Sequence, residues 1–137
     1  MKSDDLTETF GPLSMWDSIV AFHEKFGHEM PSEPVYLDPK VHDFRMAFIE
    51  EELTEYATAD TLEDKVDALV DLVVVIMGTA YMHGFDWPAH WEEVYEANMR
   101  KRRASHAGES KRGTSLDIVK PEGWVGPNHK RIFDRNV

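Results

Sequence analysis

Five carboxylates dominate the chemistry open to this chain. Glu51, Glu52 and Glu55 fall in one short stretch, and Asp67 and Asp71 follow shortly after. Asp71 is the only charge in residues 68–81, Ala-Leu-Val-Asp-Leu-Val-Val-Val-Ile-Met-Gly-Thr-Ala-Tyr. A carboxylate in such a run belongs at or near a hydrophobic core. It must there be neutralised, paired or bound to a metal, because an isolated buried charge is strongly disfavoured.

On a helix, residues three and four apart share a face. Glu51, Glu52 and Glu55 therefore fall within one arc, and Asp67 and Asp71 share another. If two helices carry these sets and a short link joins them, they pack antiparallel. Four or five carboxylates then face one another, which is unfavourable without cations. Hard divalent ions such as Mg²⁺ and Mn²⁺ prefer such oxygen ligands. The chain has no Glu-x-x-His, which argues against the di-iron helical bundles that carry that pair. The competing reading of the Glu run is a solvated helix face, and Asp71 in its apolar setting weighs against it.

The elements that must position these groups follow from periodicity and capping signals. Residues 1–13 read as an irregular lead-in. Ser14 with Asp17 resembles a capping box and opens a helix carrying Met15, Trp16, Ile19, Val20, Phe22 and Phe26, which Gly27 ends. Pro31, Pro34 and Pro39 mark residues 28–39 as a loop. A second helix is expected over residues 40–58. Asp60 or Thr61 caps a third, with Leu62, Val66, Leu69, Val70, Val73, Val74, Met77 and Tyr81 as its core face, ending at His83-Gly84. A fourth begins near Asp86 and Pro88 and runs to about Arg103. Residues 104–120 read as loop. The expected architecture is all-α, one domain over residues 1–137: a four-helix bundle core over about 14–104 with an irregular basic tail, 105–137.

Composition bounds the partners. The chain has 137 residues, 15 aromatics, no cysteine and a formal net charge of −11. Residues 1–99 hold five Lys/Arg against 22 Asp/Glu, whereas residues 100–137 hold ten against four. The acidic body repels nucleic acid and free nucleotides alike, so a polyphosphate ligand needs cations, with the basic tail supplying further contacts. No stretch of 18 uninterrupted apolar residues occurs, so no membrane span is expected. The opening Met-Lys-Ser-Asp-Asp lacks an apolar signal core. With the absence of cysteine, this fits a cytoplasmic protein.

Glu51-Glu52-Leu53-Thr54-Glu55 resembles the Glu-Glu-x-x-Glu motif of the all-α nucleoside triphosphate pyrophosphohydrolase superfamily, the MazG-like enzymes. The second half of that motif is usually Glu-x-x-Asp. Here Ala68 stands at the Glu position, and the first acid lies one place back at Asp67. Further segments are similar to a MazG-like subfamily of phages and bacteria: Phe22-His23-Glu24-Lys25-Phe26-Gly27, Phe44-Arg45 with Phe48-Ile49, Gly78-Thr79-Ala80, Glu93-Val94, Ala97-Asn98-Met99-x-Lys101 and Lys120-Pro121-Glu122-Gly123-Trp124.

The resemblance implies metal-dependent hydrolysis of a nucleoside triphosphate to the monophosphate and pyrophosphate, with (d)GTP as the expected substrate of this phage-type branch. It implies two or three Mg²⁺ or Mn²⁺ ions per site. Glu51, Glu52, Glu55, Asp67 and Asp71 are the expected ligands, and Glu51 or Glu52 orients or deprotonates the attacking water. Asn98, Lys101 and Lys120 are candidate ribose and phosphate contacts. Trp124 and His23 are candidates for the base, against the ordinary reading of such aromatics as core. A dimer or tetramer is expected. Alternatives are hydrolysis of dUTP, another (d)NTP or phosphoribosyl-ATP, a non-catalytic nucleic-acid-binding helical protein, and a regulatory or structural bundle.

Overall fold

The computed structural model describes residues 14–135; the lead-in expected over residues 1–13 lies outside them. The chain divides into two compact units between Trp87 and Pro88. The architecture is all-α, with four long helices and one very small sheet.

The first unit holds α1 (Met15–Lys25), α2 (Pro39–Thr58) and α3 (Leu62–His83). Ser14 caps α1, its side chain accepting from the Asp17 N–H at 3.0 Å. α2 starts one residue earlier than periodicity predicts. Asp38 accepts the Lys40 N–H at 2.9 Å and Pro39 occupies the first turn. There its missing N–H costs nothing, so Pro39 opens the helix and does not belong to the loop. Thr61 caps α3 by accepting the Asp64 N–H at 3.1 Å. Gly84 ends α3 in the left-handed conformation, with φ of 75°. The Phe85 N–H reaches back to the Ala80 carbonyl, closing the last turn as the sequence predicts.

Only residues 59–61 separate α2 from α3, and the two pack antiparallel over most of their length. Lys65 fastens the turn end. Its ammonium donates to the Tyr56 carbonyl at 2.6 Å and sits 4.7 Å from the Tyr56 ring centroid. The loop before α2 is tied to the far end of α3. Tyr81 donates its hydroxyl to the His28 carbonyl at 2.8 Å, and the Val35 N–H donates to the His83 carbonyl. Ile19, Met77 and Tyr81 form the core cluster, with Trp16, Val20, Met30, Val74 and Trp87 packed against it.

The expected core face of α3 is corrected by the structure. Met77 and Tyr81 are buried, but Leu62, Val66, Leu69, Val70 and Val73 are exposed, Leu62 at 83 %. The other buried positions of α3 are Ala68, Val75, Gly78 and Ala80, three of them small. Small side chains let neighbouring elements approach the helix closely, while the larger Leu62, Val66, Leu69, Val70 and Val73 form an outward ridge. By length and composition α3 is apolar enough to cross a membrane, but here it is a packed helix that carries Asp67 and Asp71.

The second unit contains most of α4 (Trp87–Met99), β1 (Arg102–Arg103), a 3₁₀ turn (Ala107–Glu109), β2 (Ile118–Val119) and α5 (His129–Asp134). α4 ends four residues sooner than expected. Arg102 and Arg103 pair antiparallel with Val119 and Ile118 instead. Much of the basic run is matched inside this unit. Arg102 pairs with Glu109, Arg131 with Glu93, and Arg112 with Asp117 at 2.9 Å. Asp117 also accepts from the buried Ser110 hydroxyl at 2.7 Å. Residues 104–120 are thus an ordered excursion and not a plain loop, and α5 is a helix that periodicity did not reveal.

Candidate active site

The register of α2 against α3 decides which acids meet. Glu52, Glu55 and Asp71 each place a carboxylate oxygen so that all three lie within 4.8 Å of one another. Glu52 is buried, with 8 % exposure, Asp71 is half-buried and Glu55 is exposed. Glu51 is exposed at the edge and adds to the negative potential at Glu52. Asp67 is exposed and lies outside the three. Ala68, at 3 % exposure, takes the inward position one turn before Asp71, so the trio has no fourth acid there.

Glu52 is the strained member. Its Oε2 is buried and has no hydrogen-bond partner. Burial, then the Glu55 side chain as hydrogen-bond partner and as a neighbouring negative charge, then Asp71 and Glu51, push its carboxyl above the ordinary carboxylate range. An orphaned buried acceptor among three converging acids is a poor way to stabilise a helix pair. It is a good donor set for a hard divalent cation, which takes oxygen ligands and removes the repulsion. The residues present fit such an ion.

Two helical turns from the trio lies a second constellation that the acid spacing does not announce. Arg45 on α2 donates from Nε to Thr79 Oγ1 at 3.0 Å and from Nη2 to the Val75 carbonyl at 2.8 Å. It has no carboxylate partner among the described residues, and burial lowers its pKa. His23, buried on α1, donates from Nδ1 to the Ile19 carbonyl at 2.8 Å and stacks on Tyr81 at 4.4 Å between centroids. Both side chains converge on Gly78. The sequence signals were an arginine seven residues before Glu52 and the single glycine of the apolar run.

The remaining candidates belong to the second unit. The Trp124 ring has the ammonium groups of Lys101 and Lys120 at 5.1 and 5.0 Å from its centroid. Its indole N–H donates to the Ala97 carbonyl at 2.7 Å. Trp124 therefore gathers two cations at its ring. Lys101 and Lys120 line a cavity of about 340 Å³ together with Lys111 and Arg112. Asn98 and Lys101 line a neighbouring one of about 550 Å³.

A family model described as phosphoribosyl-ATP pyrophosphohydrolase matches residues 19–98. This is more than half of the chain and takes in α2, α3 and the whole acidic trio. The chain belongs to this family. The phosphoribosyl-ATP pyrophosphohydrolases fall within the MazG-like all-α superfamily, in agreement with the helical architecture and with the resemblance carried by the Glu-Glu-x-x-Glu motif. Membership makes the chain a pyrophosphohydrolase by family, and a nucleotide is the substrate type this implies. The family generally depends on divalent metal, as the trio's donor set accommodates. No curated protein sequence matches the chain.

Proposed function

We propose that this chain hydrolyses a nucleoside triphosphate, with (d)GTP the first candidate, to the monophosphate and pyrophosphate. One observation carries the reading: the buried Glu52 carboxyl, its Oε2 without a hydrogen-bond partner, facing Glu55 and Asp71. These three would hold Mg²⁺ or Mn²⁺, with Glu51 and Asp67 as outlying acids able to bring in further ions. When bound, such ions supply charge neutralisation for the polyphosphate and Lewis acidity at the phosphorus.

The chain's own groups do the rest. Glu51, exposed beside the trio, accepts the proton of the attacking water. Glu52, fixed by burial, holds the reacting end in place. Water attacks the α-phosphorus, the bond from that phosphorus to the bridging oxygen breaks, and pyrophosphate leaves. No covalent enzyme intermediate is needed. Lys101, Lys120 and Asn98 are assigned to phosphate and ribose on their chemistry, and His23 to the base.

The (d)GTP preference rests on the resemblance of the Asn98-x-x-Lys101 and Lys120–Trp124 segments. The matched family model favours a second reading, hydrolysis of phosphoribosyl-ATP. We further propose a homo-oligomer, because the exposed ridge Leu62, Val66, Leu69, Val70 and Val73 is a contiguous apolar surface of the kind that associates.

The deciding experiment is pyrophosphate release in Mg²⁺ or Mn²⁺ from dGTP, GTP, dATP, dCTP, dTTP, dUTP and phosphoribosyl-ATP. Release from dGTP or GTP above the others supports the first reading, and release from phosphoribosyl-ATP alone supports the second. No release from any of them overturns both.

A further inference from the structure

Continuing the antiparallel register of β1 and β2 by one residue sets Lys101 opposite Lys120. Arg102 pairs with Val119 and Arg103 with Ile118, so the residues just outside the ladder are these two lysines. Like charges opposite each other across an antiparallel pair repel. They are also gathered at one ring, both ammonium groups standing over Trp124 at 5.1 and 5.0 Å from its centroid. The π face offsets part of the repulsion. An anion beside the two lysines removes more of it.

The excursion between the two strands brings further positive charge to the same place. Lys101, Lys111, Arg112 and Lys120 line one cavity of about 340 Å³, with Glu109 and Asp117 as its acids. Both acids are already engaged. Glu109 accepts from the Arg102 guanidinium and from the Ser105 N–H and hydroxyl. Asp117 accepts from Arg112 at 2.9 Å, from the Ser110 hydroxyl at 2.7 Å and from the Ile118 N–H at 2.9 Å. Lys101, Lys111 and Lys120 have no carboxylate within ion-pair distance among the described residues. The cavity wall therefore carries three uncompensated ammonium groups, all within the second unit.

Size and donor type select the ligand. At about 30 Å³ per water, the space holds on the order of ten waters, enough for a diphosphate with several waters beside it. Ammonium groups are point charges with three donors each, suited to phosphate oxygens that point in several directions. A carboxylate or a single phosphate brings too little charge to match three of them. A single-stranded nucleic acid would use an open aromatic face for stacking. The Trp124 face is instead covered by Lys101 and Lys120.

We propose that this cavity is a diphosphate-binding site of the second unit, formed by Lys101, Lys111 and Lys120 with Arg112, which takes up its ligand without metal. The site goes beyond the assignment of Lys101 and Lys120 to substrate phosphate. It adds Lys111 and Arg112, and it stands independently of the trio. Free inorganic diphosphate and the terminal diphosphate of a nucleotide share the chemistry it recognises.

The test is calorimetric titration of the full chain, in chelator at about 0.15 M salt, with orthophosphate, inorganic diphosphate, dGTP and a thymidine tetranucleotide. Diphosphate should bind at least about tenfold more tightly than orthophosphate, the yield of one further charge-assisted contact. Lys111→Gln should weaken diphosphate binding at least about threefold, as for one partly exposed charge pair. Lys111 is exposed, so the unfolding midpoints of this variant and the wild type should coincide. Asp71→Asn, in the other unit, should leave diphosphate affinity unchanged. Binding of dGTP no tighter than diphosphate identifies the free anion as the ligand, and tighter binding of dGTP identifies a nucleotide tail; either supports the site. No diphosphate binding, equal affinity for orthophosphate and diphosphate, an affinity unmoved in Lys111→Gln, or tighter binding of the tetranucleotide than of diphosphate overturns the proposal. Titration in chelator separates binding from turnover, so its failure is distinct from a failure of pyrophosphate release, which would sink the hydrolase reading instead.

Discussion

Trp124 donates its indole N–H to the carbonyl oxygen of Ala97 at 2.7 Å, binding the segment after β2 to the last turn of α4. A Trp124→Phe substitution keeps an aromatic ring near Lys101 and Lys120 but removes the donor. It should lower the stability of the second unit by about 1 kcal/mol, the usual net value of one such bond. Trp124→Ala should cost about 2–3 kcal/mol, because packing is lost as well. Urea midpoints followed by circular dichroism measure both. An unchanged midpoint in the Phe variant would show that the bond contributes nothing.

The raised carboxyl of Glu52 has a defined sign in stability. A carboxyl whose folded pKa lies above its unfolded value favours the folded state when protonated. Stability therefore falls as pH rises from about 4.3, the unfolded value, through the raised folded one. Without metal, Glu52→Gln should melt higher than the wild type near pH 7 and equally at pH 4. Adding Mn²⁺ should reverse the order at pH 7. Melting curves at the two pH values, with and without Mn²⁺, check this; identical curves for the two proteins would remove Glu52 from the metal centre.

The second unit should respond to acid in the opposite way. The Arg102 side chain, then Ser105, hold the Glu109 carboxyl down to about 2. The Arg131 side chain and the Asn128 N–H lower Glu93, and the Ser110 hydroxyl, with Arg112, lowers Asp117. Depressed carboxyls contribute stability that is complete above their unfolded values near 4 and is lost as pH falls toward the folded ones. The protection of the β1 and β2 amides, measured against the intrinsic exchange rate at each pH, should fall between about pH 4 and 2. Glu109→Gln should bring fast exchange even at neutral pH. Exchange rates followed residue by residue by NMR would show it.

Removing a trio member tests the chemistry without removing the fold. Glu55→Gln and Asp71→Asn are nearly isosteric, and neither site is fully buried. Each should reduce kcat/KM by more than about a hundredfold, the upper range seen for mere supporting residues of metal sites. Asp71→Asn should melt no lower than the wild type without metal, since it removes a poorly solvated charge. Wild-type turnover in both variants would refute the assignment of the trio.

Gly84 provides a backbone test. Its φ is 75°, and a Cβ there would lie 2.9 Å from the Glu33 carbonyl oxygen and 3.1 Å from Pro31 Cβ. Gly84→Ala should destabilise by about 1–3 kcal/mol, from left-handed strain plus the clash. A denaturation midpoint equal to the wild type would show that the 31–35 segment yields freely.

Much of this arrangement was legible in the residues themselves. Thr61 and Gly84 are local signals, and each does what its chemistry dictates at the end of α3. Asp71 stood out because one charge in an apolar run demands a reason. The buried face of α3 was not legible. A run of Leu and Val has no polar gaps to mark a face, and buried positions fall on Ala68, Gly78 and Ala80, which a hydrophobic pattern undervalues. The strand at Arg102–Arg103 was hidden because two residues carry no periodicity, and its partners, Val119 and Ile118, lie far along the chain. Arg45 was present in the sequence, but its lack of a counter-charge is a fact of three dimensions.

The link of residues 59–61 has a kinetic consequence. Glu52 and Asp71 are brought together by a helical hairpin whose closure spans three residues, and such local contacts form early and fast in folding. The acidic trio is thus assembled by the chain's own collapse, ahead of any ion. Metal should then be captured in a single rapid step, at a rate independent of how quickly the rest of the protein completes its packing.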